Sequence, residues 1–241
     1  MLKRITIFFI TTMLCASSVY SLEVKHKFDR AKCFPQTWYK YPVRAKTLPI
    51  RQSDEMKISQ SVKRFLLKYP RRVVEQHLDK VYSFRKLNFF GKDFGATYSM
   101  NRKTGRGQIY IRYNNVEFSD WKTLNVRQLH HEFSSVLMKM HRFPKHEWVS
   151  KNGGKYVSGD LGRDMLISHG RDEHNHLLKQ GFLTSYGQAD FENDVNIYAE
   201  YVFVFPNKLN RVEKRYPAVA KKAKIIRNFY CKINKSFFFC Q

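Results

Sequence analysis

The stretch that decides how this chain is interpreted is Leu129-His130-His131-Glu132-Phe133-Ser134-Ser135. It begins like the His-Glu-x-x-His pattern, in which two histidines four residues apart lie on one face of a helix and hold zinc. The glutamate of that pattern activates a metal-bound water. His131 and Glu132 match the first two positions, but Ser135 stands where the second histidine belongs. The stretch therefore predicts a zinc-site helix that lacks one ligand.

The residues around this stretch predict a helix preceded by a β-hairpin. Thr123 is a candidate N-cap. An apolar stripe with helical spacing follows and runs until Pro144: Val126, Leu129, Phe133, Val136, Leu137 and Met140. Upstream, residues 96–113 alternate in polarity on both sides of a turn that contains two glycines, which is typical of a hairpin. The sequence thus predicts an α+β fold, mainly helical, with a hairpin or small sheet beside the His-Glu helix.

A later helix offers a replacement ligand. Residues 191–205 have helical periodicity and end before Pro206. Glu192, Asn196 and Glu200 are spaced four residues apart, so their side chains project from one side of that helix. A carboxylate on a second helix would add a zinc ligand, with Glu192 favoured and Glu200 as the alternative. The same spacing also fits an acidic face that pairs with Lys or Arg.

The remaining histidines fit a zinc site less well. His130 points roughly 100° away from His131 on the helix, so the two rings cannot readily share one ion. His141 follows His131 at the spacing of another class of zinc proteases, but the glycine of that pattern is missing. A denser histidine cluster is more typical of a hydrated surface: His169, His174 and His176.

Elsewhere the chain predicts further helices and an export signal. Residues 22–51 are basic, aromatic and interrupted by prolines, and helical periodicity follows at 53–69, 71–81 and 163–180. Lys3 and Arg4 precede a short apolar stretch with small residues after it, which is typical of a signal peptide. We therefore expect a secreted or periplasmic protein: signal peptide at 1–21, one domain at 22–241, and a basic helical tail at about 207–241.

The net charge limits which partners are expected, and the cysteines limit which disulfides can form. The chain carries 44 Lys or Arg against 20 Asp or Glu, a net charge of +24. Such a charge favours anionic partners such as nucleic acid, acidic polysaccharide or lipid, and charge alone does not separate them. Cys33, Cys231 and Cys240 remain after the predicted cleavage and allow one disulfide, either Cys33 with Cys231 or Cys231 with Cys240.

Three segments in order resemble a known family. They are residues 130–137 around the His-Glu pair, residues 181–186 (Gly-Phe-Leu-Thr-Ser-Tyr), and residues 191–200, which end in Ala199-Glu200. Their order is similar to that in the secreted bacterial putative zinc-binding metallopeptidases, zincin-like proteins of the gluzincin type. The resemblance covers about 69–205.

The resemblance implies a zincin-like fold, a zinc ion and peptide-bond hydrolysis. His131 matches the first ligand and Glu132 the general base, whereas Ser135 departs from the second ligand. The last ligand falls on Asn193 or on Asn196, depending on which neighbouring residues are aligned.

Two functions follow as expectations. The first is an exported zinc-dependent metallopeptidase, or a degenerate relative of one, with Glu132 as the catalytic base, His131 and Glu192 as metal ligands, and a peptide or protein as substrate. The second is a non-enzymatic basic binding protein on a protease-like scaffold, which holds anionic polysaccharide, lipid or nucleic acid through Lys and Arg with interspersed aromatic residues.

Overall fold

The chain folds into helices packed against a small mixed β-sheet. The structure is a computed structural model that describes residues 23–25, 33–113, 121–153, 155–157 and 174–240. Its helices are α1 (Gln52–Leu66), α2 (Arg71–His77), α3 (Trp121–Met140), α4 (Lys145–Val149), α5 (Asn175–Lys179), α6 (Phe191–Val204), α7 (Pro206–Glu213) and α8 (Pro217–Ile233). Its strands are β1 (Glu23–Lys25), β2 (Lys46–Pro49), β3 (Leu78–Phe89), β4 (Lys92–Asp93), β5 (Ala96–Met100) and β6 (Gly107–Arg112). The predicted α+β class is confirmed.

The long strand β3 organises the sheet. It pairs in parallel with β1 and β6 and antiparallel with β2 and β4. Strand β5 pairs antiparallel with β6, with Ala96 opposite Ile111. Among the described strands β5 has no other partner, so it forms one edge of the sheet. The hairpin predicted at 96–113 is confirmed, and it lies directly before α3 in the chain.

Alternation along the strands separates two apolar clusters. Because successive side chains point to opposite faces of a sheet, Ile109 and Ile111 of β6 pack into the large cluster with α1, α3, α6 and α8. Tyr110 between them packs on the other face with Cys33 and Phe34, in a smaller aromatic cluster. The large cluster fixes how the helices sit on the sheet.

Helix α3 lies close against β6. Of the predicted stripe, Leu129, Phe133, Val136 and Leu137 are fully buried and Val126 is nearly so, whereas Met140 at the end of the helix is exposed. A β-carbon at Gly107 would collide with the Val136 side chain, so this strand position needs glycine for the helix to approach. The prediction of a cap at Thr123 was wrong, because the helix begins earlier, at Trp121.

The other predicted helices agree with the structure in part. Helix α6 matches the prediction at 191–205 closely, and α8 lies within the predicted helical tail. The helix predicted at 71–81 ends at His77, because the chain continues as β3 and pairs along its length with β6. The helix predicted at 163–180 is observed only as α5, since 158–173 lie outside the described residues.

The structure joins Cys231 to Cys240, the second of the two pairings that the sequence left open. Cys33 is buried outside this disulfide, with its Sγ 3.4 Å from the Tyr39 hydroxyl. None of the helices in the described ranges combines the length and the apolar character needed to cross a bilayer. The predicted signal peptide lies outside the described residues.

Candidate functional site

A cleft of about 430 Å³ lies between the edge strand β5 and the helices α3 and α6. Tyr98 lines it from β5, and Tyr186 lines it from the short 3-10 turn before α6. The predicted site residues His131, Glu132 and Glu192 all line this same cleft. The structure thus brings together residues that are up to about sixty positions apart in the chain.

Both ring nitrogens of His131 face hydrogen-bond acceptors. Nδ1 lies 2.9 Å from Glu200 Oε1, and Nε2 lies 3.1 Å from Asn193 Oδ1. The orientation of the Asn193 amide is fixed, because its Nδ2 donates to Asp190 Oδ2 at 3.0 Å and leaves the oxygen toward the histidine. A metal ion at Nε2 would therefore have to displace the Asn193 amide oxygen, and one at Nδ1 would have to displace the Glu200 carboxylate.

Glu200 is the fully buried partner that holds His131. Its second oxygen, Oε2, accepts a hydrogen bond of 2.8 Å from Arg127 Nε, one helical turn before His131 on α3. Burying a carboxylate is costly unless it is paired and hydrogen-bonded, and here both of its oxygens are. Glu200 was the alternative metal ligand in the sequence prediction, but the structure shows its carboxylate engaged by an imidazole and a guanidinium.

Ser135 and Asn196 contact each other directly. Asn196 Nδ2 donates to Ser135 Oγ at 2.7 Å, and both side chains are buried. The contact places Asn196, and not Asn193, opposite the position of the absent second histidine. Of the two residues that the resemblance allows at the position of the last ligand, the contact therefore supports Asn196. A hydroxyl and an amide stand at the two positions where the resemblance implies an imidazole and a carboxylate.

These donors do not fit a catalytic zinc ion. Zinc takes thiolate, imidazole or carboxylate ligands, and a catalytic site normally has three from the protein. Among the described residues, no three His, Cys, Asp or Glu side chains are placed to hold a metal ion together. Glu192 lines the cleft, but the positions of the second and last ligands hold Ser135 and Asn196, which bond to each other. The zinc ligands proposed from the sequence remain a prediction.

Tyr98 is a cleft residue that sequence reasoning missed. Burial raises the pKa of its hydroxyl, and the nearby carboxylates of Glu192 and Glu132 raise it further. Both negative charges therefore act on the Tyr98 hydroxyl and oppose its ionisation. The available signal was its position in the predicted edge strand, beside the His-Glu helix.

The outer backbone edge of β5 borders the cleft. The Gly95 carbonyl accepts a hydrogen bond from Arg112 N on β6, and pairing with β6 alternates along an antiparallel strand. Ala96, Tyr98 and Met100 therefore direct their backbone groups away from β6. No described backbone group pairs with these outer groups.

The other histidines lie in two different environments. His130 is fully buried, its Nδ1 is 2.9 Å from the Tyr69 hydroxyl, and its ring stacks on Phe203. His141 approaches His77 with 2.7 Å between their Nε2 atoms, away from the cleft lining. His130 is therefore part of the core and does not line the cleft with His131.

His130 should make the fold sensitive to acid. Burial lowers its pKa from 6.5 to about 3. Below pH 6.5 the unfolded chain takes up a proton that the folded chain refuses, so stability falls as the pH falls through the interval between the two values. We expect this site alone to lower the free energy of unfolding by about 2 kcal/mol between pH 7 and pH 5. Urea unfolding at both pH values measures the change.

The His130→Phe variant provides the control for that measurement. It keeps an aromatic ring beside Phe203 but cannot ionise, so its loss of stability between the two pH values should be smaller by about the same amount. His77 and His141, whose pKa values are also lowered by burial, remain in both proteins. An unchanged difference between the two pH values would show that His130 does not carry the effect.

Comparisons with known proteins agree with this architecture. A family model described as putative zinc-binding metallo-peptidase matches residues 16–235. A crystal structure of a putative zinc-binding metallo-peptidase from Bacteroides caccae aligns with a TM-score of 0.51 and 13% identity, over 90% of this chain and 80% of that one. A search of curated proteins gave no match. Because the family model spans most of the chain, the protein belongs to the putative zinc-binding metallopeptidase family.

Proposed function

We infer that this chain is an exported protein that uses the cleft of a metallopeptidase scaffold to bind an extended polypeptide without hydrolysing it. The observation that carries this proposal is the hydrogen bond between Ser135 and Asn196, together with the two hydrogen bonds that engage both nitrogens of His131. Each position that the family resemblance assigns to a metal ligand is occupied by a side chain bonded to a protein partner.

The edge strand supports polypeptide as the ligand. An extended segment can add to a sheet edge through backbone hydrogen bonds, and side-chain pockets then give specificity. The outward backbone groups of Ala96, Tyr98 and Met100 offer such an edge beside the cleft. The cleft of about 430 Å³ would take one or two side chains of the added segment.

An Ala96→Pro variant tests this function. Proline removes one outward N–H group, and an edge strand tolerates it because the pairing with β6 does not use that group. We expect the variant to lose binding to a pooled library of synthetic decapeptides that the natural chain retains intact, as seen by mass spectrometry. Ala96→Val is the matched control, since it keeps the N–H and suits a strand.

Three outcomes would contradict the proposal. They are peptides bound equally by the Ala96→Pro and Ala96→Val variants, peptides not bound at all, and peptides cleaved in a zinc-dependent way that Glu132→Gln abolishes. The last outcome would restore the peptidase interpretation. Circular dichroism of both variants confirms that the sheet has formed.

An anionic surface is a second candidate partner, on a different part of the molecule. Helix α8 exposes Lys221, Lys224 and Lys232 along one side, and none of them has a described ion-pair partner. Such a row attracts polyanions in a manner that salt weakens steeply. Retention on heparin through this helix would be unchanged in the Ala96→Pro variant, which separates the two functions.

A further inference from the structure

The described lining of the cleft is acidic, whereas the chain as a whole is strongly basic. Three carboxylates line it, from Glu132, Asp190 and Glu192. None of the described residues that line it is Lys or Arg, although these two residue types account for 44 of the 241 residues. Arg127 is turned to Glu200 behind His131 and does not contribute to the lining. Low-dielectric walls of one charge sign focus the potential inside a cleft, so a cation is favoured there.

Two of the carboxylates act on the same point of the cleft. Burial raises the pKa of the Tyr98 hydroxyl, and the charges of Glu192 and Glu132, which line the cleft beside it, raise it further. The phenol therefore lies between β5 and the carboxylates of α3 and α6. A cationic side chain that enters beside Tyr98 would meet both carboxylates and the face of an aromatic ring, which also attracts cations.

A buried acceptor at the cleft gives an independent indication of a donor-rich ligand. Asn196 lines the cleft, is only 1% exposed, and has no described hydrogen-bond partner for its Oδ1. Its Nδ2 is already used by Ser135. Buried polar atoms are nearly always hydrogen-bonded, so we expect a ligand that donates a hydrogen bond to this oxygen. Ammonium and guanidinium groups carry donors only, and so they match a set of carboxylate and amide oxygens.

We propose that the cleft recognises a Lys or Arg side chain of the bound polypeptide, held by Glu132, Glu192 and the Asn196 oxygen. The inference rests on the proposed function, because the polypeptide backbone is taken to bind along β5. Selection then comes from a short-range attraction inside the cleft, while the net charge of the whole chain repels the same peptide at long range. A partner attracted only by the net charge of the chain would be anionic, and the carboxylates of the cleft would repel it.

A set of four peptides tests the proposal. They share one uncharged decapeptide sequence and differ at one central position, which is Lys, Arg, Glu or norleucine. Fluorescence anisotropy should show that the Lys and Arg peptides bind about tenfold tighter or more than the norleucine peptide, as expected for a charge-assisted hydrogen bond. The Glu peptide should bind most weakly of the four.

Isosteric variants locate the effect. Glu132→Gln and Glu192→Gln should each reduce the ratio of the affinity for the Lys peptide to the affinity for the norleucine peptide. Glu147→Gln is the matched control, because it makes the same change of net charge at an exposed carboxylate of α4 that does not line the cleft. This control should keep the full preference.

The outcomes separate this inference from the function on which it rests. Equal binding of all four peptides would overturn the cationic side-chain site and leave polypeptide binding in place. Binding of none would overturn both. A preference for Lys that Glu147→Gln removes as fully as Glu132→Gln would show that overall charge, and not the cleft, selects the peptide.

Salt provides a second readout. Since the whole chain repels a cationic peptide, raising NaCl from about 10 mM to about 150 mM should increase its association rate by screening that repulsion. If the peptide were attracted to a uniformly acidic surface, its association rate would fall as NaCl rises. The same fall is expected for a site outside the cleft that attracts through exposed acidic residues. A falling association rate would therefore contradict the proposal.

Discussion

A Ser135→His/Asn193→Ala/Asn196→Glu variant should bind about one zinc ion per chain, whereas the natural cleft should bind none. The first and third changes supply an imidazole and a carboxylate at two positions that already contact each other. The second change removes the oxygen that faces His131 Nε2, so a metal ion can approach this nitrogen. Glu200 then orients His131 through Nδ1, as a carboxylate commonly does for a zinc-bound histidine.

Two measurements check this result. Elemental analysis after dialysis gives the amount of zinc, and thermal unfolding with added zinc gives the linked gain in stability, about 4 kcal/mol when free zinc is about a thousandfold above the dissociation constant. The double variant Ser135→His/Asn196→Glu should bind more weakly, because Asn193 Oδ1 still occupies His131 Nε2.

His131→Ala in the triple-variant background is the decisive control and should abolish the bound zinc. Zinc held by the separate pair of His77 and His141 would survive this change and would be lost in His141→Gln, so the two sources are distinguishable. Natural protein that carries about one zinc, lost on His131→Ala, would contradict the proposed function and favour the peptidase.

The order of elements was predictable from local patterns, because these patterns report burial along one element. Helix α6 was placed from its periodicity and from Pro206, and the hairpin from its alternation around the glycine turn. Leu78 and Val81 show where such patterns fail. Their spacing suits a helix, and only the pairing of β3 with β6, which is distant in sequence, makes the segment a strand.

The site was predictable only as a set of candidate residues. His131, Glu132 and Glu192 were named from motif and spacing, and they do share one cleft. What each side chain bonds to depends on how α3 and α6 are packed together, and no local pattern contains that. The partners of His131, Asn193 and Glu200, are 62 and 69 positions away, so only the folded chain shows these contacts.

The burial of Lys222 is another feature that no local sequence pattern predicts. The sequence counts it among ten cations of the basic tail, yet it is fully buried. Its Nζ is 2.6 Å from Asp194 Oδ2 and 2.8 Å from the Gly181 carbonyl oxygen. Burial lowers the pKa of Lys222 and raises that of Asp194, and the attraction between the two charges opposes both shifts. The pair ties α8 to the helix that carries Asn193 and Asn196.

Replacing Lys222 by methionine should therefore destabilise the fold by about 3–5 kcal/mol. Methionine fills much of the same space, but it leaves the Asp194 carboxylate buried without its cation, with hydrogen bonds only from Trp148 Nε1 and the Tyr156 hydroxyl. The loss is a large share of the roughly 5–15 kcal/mol that holds a typical domain together. Urea unfolding of the variant and the natural chain measures it.

The double variant Asp194→Asn/Lys222→Met separates charge from packing. If the single change is costly because it strands a buried charge, the double change should cost less than Lys222→Met alone, since removing both charges of a buried pair is often nearly neutral. Relative to the natural chain at the same pH, the single variant should also recover stability as the pH falls toward the pKa of Asp194, because protonation removes the stranded charge. Equal losses in the two variants, with no recovery in acid, would mean that the Lys222 side chain stabilises α6 by packing against Trp148, Phe182 and Tyr198 and not by its charge.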